Sequence, residues 1–281
     1  MPTLHPECAA FLQSLAAMDL PGDPPSRYSL LCARFAAPPP LSVTIRDAPP
    51  LRLYEPPHPS AAILWLHGGR FISGGLDTHD SLCRLLAHAS GRTVVALDYR
   101  LAPAHPYPAA IDDISAALPG ILSRFPRLAI GGDSAGGCLA LTAALQSEHP
   151  PDALVLVYPM LDATCHLPSH AIFESGPGPS SLDMRAGWDL WLPPDAGRRH
   201  PDISPLFAPN LSRLPRTFLL TAGFDSLRDE GLRLASRLAA AAIPLTHTHL
   251  NGHIHGFLTC PAAFSAAGQT ILSIARFLAG N

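Results

Sequence analysis

The chain contains no lysine: all 19 of its basic residues are arginine, set against 22 acidic ones, and the longest basic cluster is Arg198-Arg199-His200. With a formal charge of −3 there is no electrostatic footprint for a phosphate backbone, so the charge pattern excludes a nucleic-acid partner. The arginine-only usage carries no functional weight by itself. Charge of either sign is scarce, 15% of residues against 47% hydrophobic, which excludes a highly charged disordered chain. No C-x-x-C pair exists among the cysteines at 8, 32, 83, 138, 165 and 260, so neither a disulfide framework nor a thiolate zinc site is indicated. No uncharged apolar run reaches the length of a membrane span, and the opening MPTLHPECAAFLQSL carries His5 and Glu7 without a basic leader, unlike a secretory signal. A cytoplasmic protein is expected.

At 281 residues the chain is large enough to build a core without staples, and one domain covering 1–281 is the expectation. Short apolar runs alternate with helical patterns, the rhythm of parallel strands joined by crossover helices. Strands are expected at 61–66, 93–98, 127–131, 153–158, 216–221 and 244–250. Helices are expected at 78–90, 108–124, 134–147, 227–242 and 261–279, with Pro119 kinking or ending the second. The proline-dense stretch 160–210 breaks the rhythm and holds one short helical piece, Ser181–Leu192; an insertion of this kind reads as a lid. An amphipathic segment at Cys8–Met18 followed by a Pro-rich connector makes 1–45 a second cap element, leaving 46–159 and 211–281 as the core.

Residues 132–137, Gly-Asp-Ser-Ala-Gly-Gly, lie between an expected strand and an expected helix. That is the required setting of a G-x-S-x-G nucleophile elbow, in which the flanking glycines let neighbouring backbone pass and the central serine is exposed at a helix N-terminus. Ser134 is the candidate nucleophile. A serine nucleophile needs N–H donors for the developing oxyanion. His67-Gly68-Gly69-Arg70-Phe71, after the strand 61–66, supplies a loop with Gly68, Gly69 and Arg70 as candidates, and Ala135 supplies the second donor. An acid and then a base should follow in loops after later strands. Asp225 fits the first position, its rivals Asp229 and Glu230 falling inside the following helix. His255 and His253 fit the second equally well.

The cluster His247, His249, His253 and His255 invites a metal reading, but no cysteine or carboxylate is near it in sequence, so no metal and no cofactor are expected. His166 and His170 have i,i+4 spacing with Pro168 between them, and solvated histidines are the plain reading of both groups. Trp188 and Trp191 are either acyl-pocket walls or simple packing three residues apart on a helix.

Taken together, HGGRFISGGLDTHD at 67–80, DYRLAPAHPYPAA at 98–110, GDSAGG at 132–137, YPMLD at 158–162, DSLRDEG at 225–231 and HIHGF at 253–257 resemble the hormone-sensitive-lipase-like esterases of the α/β-hydrolase superfamily. The resemblance covers about residues 50–280. It implies an α/β fold of eight mostly parallel strands flanked by helices with a helical cap, a Ser134–Asp225–His255 triad, short-acyl ester substrates, and a homodimer. It also prefers His255, immediately before Gly-Phe, over His253. Two departures stand out: Arg70 replaces the usual third glycine of the oxyanion loop, and Ser226 replaces the usual proline after the acid. The Arg70 side chain either enters the pocket, attracting acidic substrates, or makes an ordinary salt bridge. Two other functions fit the same residues, an amidase or peptidase on the same triad and a non-catalytic ligand binder.

Overall fold

The computed structural model describes residues 3–59 and 61–280; positions 1, 2, 60 and 281 of the expected domain lie outside the described residues. One eight-stranded sheet runs through the molecule: β1 (Thr44–Ala48), β2 (Leu51–Glu55), β3 (Ala62–Leu66), β4 (Thr93–Leu97), β5 (Leu128–Asp133), β6 (Leu154–Val157), β7 (Thr217–Phe224) and β8 (Leu245–Ile254), in the order β1-β2-β4-β3-β5-β6-β7-β8. The strands β3 to β8 are mutually parallel, and β1 and β2 form an antiparallel hairpin at one edge. Six strands were legible because buried parallel strands read as continuous Val/Ile/Leu runs. The hairpin was not, since β1 is mostly exposed and its residues TIRDA carry no such run.

Alternation along each strand sends side chains to opposite faces and splits the core in two. Ala62, Leu64 and Leu66 of β3 face one cluster, with α4 (Ala109–Arg124), α5 (Ala135–Gln146) and α8 (Arg228–Ala240). Ile63 and Trp65 face the other, with α3 (Asp80–Ser90) and α9 (Ser265–Ala279). Ten consecutive residues of α5, Ala135 to Ala144, are buried, so its apolar character runs all round.

The N-terminal segment holds two helices, α1 (Pro6–Ala16) and α2 (Pro24–Arg34). The second escaped the sequence reading although its signal was present: Asp23 accepts the Ser26 N–H at 3.0 Å as N-cap, and Pro24 opens the helix. The stretch 160–210 holds α6 (Pro168–Ile172), α7 (Ser181–Trp191) and a 3-10 turn at Pro205–Phe207.

Two local expectations are corrected. Asn251-Gly252 reads as the end of β8, yet the strand continues to Ile254 through a register irregularity between Ala222 and Phe224. A Cβ on Gly223 would strike the Asn251 backbone, so the bulge requires glycine there. Pro119 neither ends nor divides α4, which runs unbroken to Arg124. Both Pro119 and Ser115, whose carbonyl loses its i+4 donor, lie on the exposed face of α4, where the helix continues without that bond. Pro119→Ala is therefore expected to stabilise the protein by about 1–3 kcal/mol, measured by urea unfolding; an unchanged or lower midpoint would contradict this account.

Candidate active site

All the elements of the site hang from the carboxyl ends of parallel strands, where β3 and its neighbours β4 and β5 diverge and open a crevice. The turn after β5 places Ser134 at φ 54°, ψ −121°, a conformation that costs a residue with a side chain about 1–3 kcal/mol. The fold holds it there. Its N–H donates to the Val157 carbonyl at 2.9 Å, and its carbonyl accepts from Met160 and Cys138 at 3.0 and 3.2 Å. A Cβ on Gly136 would overlap the Leu66 carbonyl, and one on Gly132 the backbone of Gly136, so both glycines are required for the close crossing of β3, β5 and α5.

His255 lies just beyond β8 and Asp225 just beyond β7. His255 Nε2 is 3.0 Å from Ser134 Oγ and its Nδ1 is 2.9 Å from Asp225 Oδ2. Asp225 is buried and also accepts the Leu227 N–H at 2.8 Å, which fixes the carboxylate. The rival residues go elsewhere. His253 stacks on His5, with ring centroids 4.7 Å apart. Asp229 accepts the Ser169 N–H at 2.8 Å, while Glu230 takes His170 Nε2 at 2.7 Å and the N–H groups of Leu161 and Asp162. Far from being simple first-turn charges, these two acids anchor the start of the 160–210 stretch onto α8. Burial pushes the Glu230 carboxyl up to about 7 against the pull of His170 and the backbone donors.

The loop after β3 bends sharply, with Gly69, Arg70 and Phe71 at φ 128°, 59° and 64°. Among the described residues the N–H groups of Gly69, Arg70 and Ala135 donate to no protein acceptor. Gly68 departs from its expected place: it is buried, does not line the cavity, and turns its N–H toward His79 Nε2 at 3.2 Å. It is glycine because a Cβ would run into the Asp133 carboxylate. His79 Nε2 in turn lies 2.9 Å from Asp133 Oδ1. Burial raises the Asp133 carboxyl, and His79, His67 and His255 outweigh it, leaving the group below its ordinary value.

A cavity of about 250 Å³ opens over Ser134 and His255. Its walls include Tyr28 and Leu31 of α2, Gly69 and Arg70 of the loop, and Pro179 and Met184 from the 160–210 stretch. A larger cleft of about 660 Å³ between α4 and α5 contains none of these groups. Trp188 and Trp191 do not line the site cavity, which corrects the pocket-wall reading. They are fully buried against Phe71, Trp191 stacking on it at 4.0 Å, and so brace the loop from behind. Arg70 lines the cavity, but its Nη1 lies 3.4 Å from Asp183 Oδ1 on α7, the salt-bridge alternative. A Cβ on Gly187 would lie 2.7 Å from the Arg70 Cβ, so α7 approaches this arginine only by having glycine there. Ser226 is buried, and its carbonyl accepts the Ser169 hydroxyl at 2.7 Å.

The four-histidine cluster does not converge. His247 and His249 share the Thr221 hydroxyl at 3.0 and 2.8 Å, and His255 faces Ser134. His67, His79 and His170 are buried, so the solvated reading fails for His170.

Residues 63–259 match the family model described as the alpha/beta hydrolase fold. The chain belongs to the alpha/beta hydrolase family. This hydrolase is 36% identical to the esterase LipI of Mycobacterium tuberculosis, over 82% of this chain and 78% of that protein. It is 33% identical to the ethyl acetate hydrolase of Pseudomonas putida, over 85% of this chain and 81% of that protein. The crystal structure of LAE6, an alpha/beta hydrolase enzyme from the metagenome of Lake Arreo, Spain, superposes with a TM-score of 0.91 at 33% identity, covering 98% of each chain. The likeness to hormone-sensitive-lipase-like esterases drawn from the motifs is borne out.

His67 gives the hydrolase an acid-sensitive point beneath the loop. Burial, and then the neighbouring His79, lower its imidazole from 6.5 to about 3. Because the folded state binds this proton less readily than the unfolded chain, the contribution is complete above pH 6.5 and lost as pH falls toward 3. At pH 5 the wild type should have lost about 2 kcal/mol through this group relative to neutral pH, and His67→Gln should not. Urea unfolding of both proteins at pH 7.5 and 5 tests this; parallel losses would exclude it.

Proposed function

We propose that this alpha/beta hydrolase is a serine carboxylic-ester hydrolase that cleaves short-acyl esters through an acyl-enzyme on Ser134. The observation that carries the reading is the continuous hydrogen-bonded chain Ser134–His255–Asp225 at the floor of an open cavity. In this mechanism His255 Nε2 takes the Ser134 proton as Oγ attacks the ester carbonyl, and the carbonyl oxygen becomes an oxyanion. The free N–H groups of Gly69, Arg70 and Ala135 receive that charge. The tetrahedral intermediate collapses, the C–O bond to the alcohol breaks, and His255 returns the proton to the departing oxygen. Water then repeats the sequence on the acyl-enzyme and releases the carboxylic acid. Asp225 holds the Nδ1–H tautomer and stabilises the imidazolium, acting on His255 alone.

The cavity volume of about 250 Å³, at the small end of ligand pockets, favours short acyl groups. An ester of a small acid is also what the named relative from Pseudomonas putida hydrolyses. We read 1–45 and 160–210 as cap elements over a core of 46–159 and 211–281 within one domain; walls contributed by α2, Pro179 and Met184 support this. A cytoplasmic setting accords with the six unpaired, buried cysteines and with the finding that no described helix is long and apolar enough to cross a membrane. Dimers are common among the esterases this chain resembles, and a homodimer is the assembly proposed for it; light scattering checks that against the 29.7 kDa chain.

Turnover of p-nitrophenyl esters from acetate to decanoate, with fluorophosphonate labelling in parallel, tests the reading. Ser134→Ala should lower kcat by about a millionfold and abolish the label, with the wild-type optimum at the short end. Folded wild-type protein that neither labels nor hydrolyses would sink it in favour of ligand binding; faster turnover of anilides than esters would favour an amidase. Since Asp183 already neutralises Arg70, Arg70→Gly should leave the preference between neutral and anionic esters unchanged within about twofold. A marked loss of anionic-ester turnover would give the Arg70 charge a role in selectivity.

A further inference from the structure

The segment Thr3–His5 lies across the end of β8. The His5 N–H donates to the Gly252 carbonyl at 2.8 Å. A Cβ on Gly252 would come within 3.1 Å of His5 N and Thr3 O, so this glycine makes room for the crossing segment. The crossing brings three side chains together that are far apart in sequence. His5 and His253 stack, and the Glu7 carboxylate lies 3.9 Å from His5 Nδ1. Each of the three offers a ligand atom, and all three atoms lie within 4.8 Å of one another. His253 is only 8% exposed, and its Nε2 is buried without a hydrogen-bond partner among the described residues.

We propose that His5, Glu7 and His253 form a binding site for a divalent transition-metal ion of the zinc type. Two imidazoles and one carboxylate are a donor set that zinc takes, with a fourth position left to water, whereas calcium and magnesium require oxygen donors. A tetrahedral ion with bonds of about 2.0–2.2 Å holds its donors about 3.4 Å apart, so the cluster must contract by about 1 Å. The two residues that move are the accessible ones: the side chains of His5 and Glu7 are 42% and 33% exposed, and their exposure also supplies the entry path. His253 is the fixed member, presenting a nitrogen that no described residue satisfies. Glu7 is already oriented by the Ser265 N–H, which donates to its Oε2 at 3.1 Å, a supporting contact of the kind that tunes metal ligands. Once bound, the ion ties α1 to the strand end two residues before His255. The site is separate from the ester chemistry and does not depend on it.

Titration of the purified full chain with Zn²⁺ by calorimetry, and with Co²⁺ by visible absorption, tests the site against His5→Asn and Glu7→Gln. His5 caps α1, its Nδ1 accepting the Glu7 N–H at 3.3 Å; asparagine keeps such an acceptor and glutamine keeps one for Ser265, so circular dichroism in EDTA should match the wild type. The wild type is expected to bind one equivalent more tightly than either variant by about 10–100-fold. Co²⁺ in that equivalent should show ligand-field bands without thiolate charge transfer, and Zn²⁺ should raise the wild-type Tm reversibly, with little effect on the variants. Equal stoichiometry, affinity and Tm shift in all three proteins, or no wild-type binding at millimolar metal, would overturn the proposal.

Discussion

The constraint on which the rest depends is the backbone of Ser134. A serine at φ 54°, ψ −121° is strained, and it persists because its N–H is claimed by the last residue of β6 and its carbonyl by the chain after β6 and by α5. Removing side chains at 132 and 136 lets α5 press against the end of β3, so the elbow and the loop after β3 are positioned by one contact. Strain at the serine is thus paired with density everywhere around it, and α5 is buried for most of its length as a result.

Parallel topology does the remaining positioning. Since β3, β5, β7 and β8 all point the same way, the turns that follow them gather at one end of the sheet, and each contributes one part of the site. The bulge at Gly223 matters here. It lets β8 run on to Ile254 and delivers the His255 ring to Asp225 across 2.9 Å.

How much of this could be read beforehand follows from how local each signal is. The parallel strands announce themselves by unbroken apolar runs, and the elbow by glycines whose purpose is steric. The order serine, acid, histidine reflects strand order, so Asp225 and His255 were within reach, although only family likeness separated His255 from His253. What stayed hidden was assembled by contacts between distant segments. His170 meets Glu230 across 60 positions and His79 meets Asp133 across 54, and no periodicity links such pairs. The histidines read as solvated or packed one by one cannot be told apart until burial is known. Gly68 shows a subtler failure: the glycine run was recognised, but which of its N–H groups stay free depends on a backbone turn that one sequence does not display.

Arg70 has a consequence for how this enzyme can diversify. Its backbone belongs to the loop that borders the Ser134 cavity, while its side chain is held by Asp183 and its Cβ by the bare backbone of Gly187. The helix that shapes the entrance and the loop that faces the chemistry therefore share one residue as a hinge pin. Any larger residue at 187 would meet both the Cβ and the carbonyl oxygen of Arg70, so a smaller side chain at 70 does not by itself open the position: the loop backbone has to shift with it. A lineage carrying this arginine can vary the cavity wall at the half-buried Leu31, but it can re-angle α7 only together with a change at the loop itself.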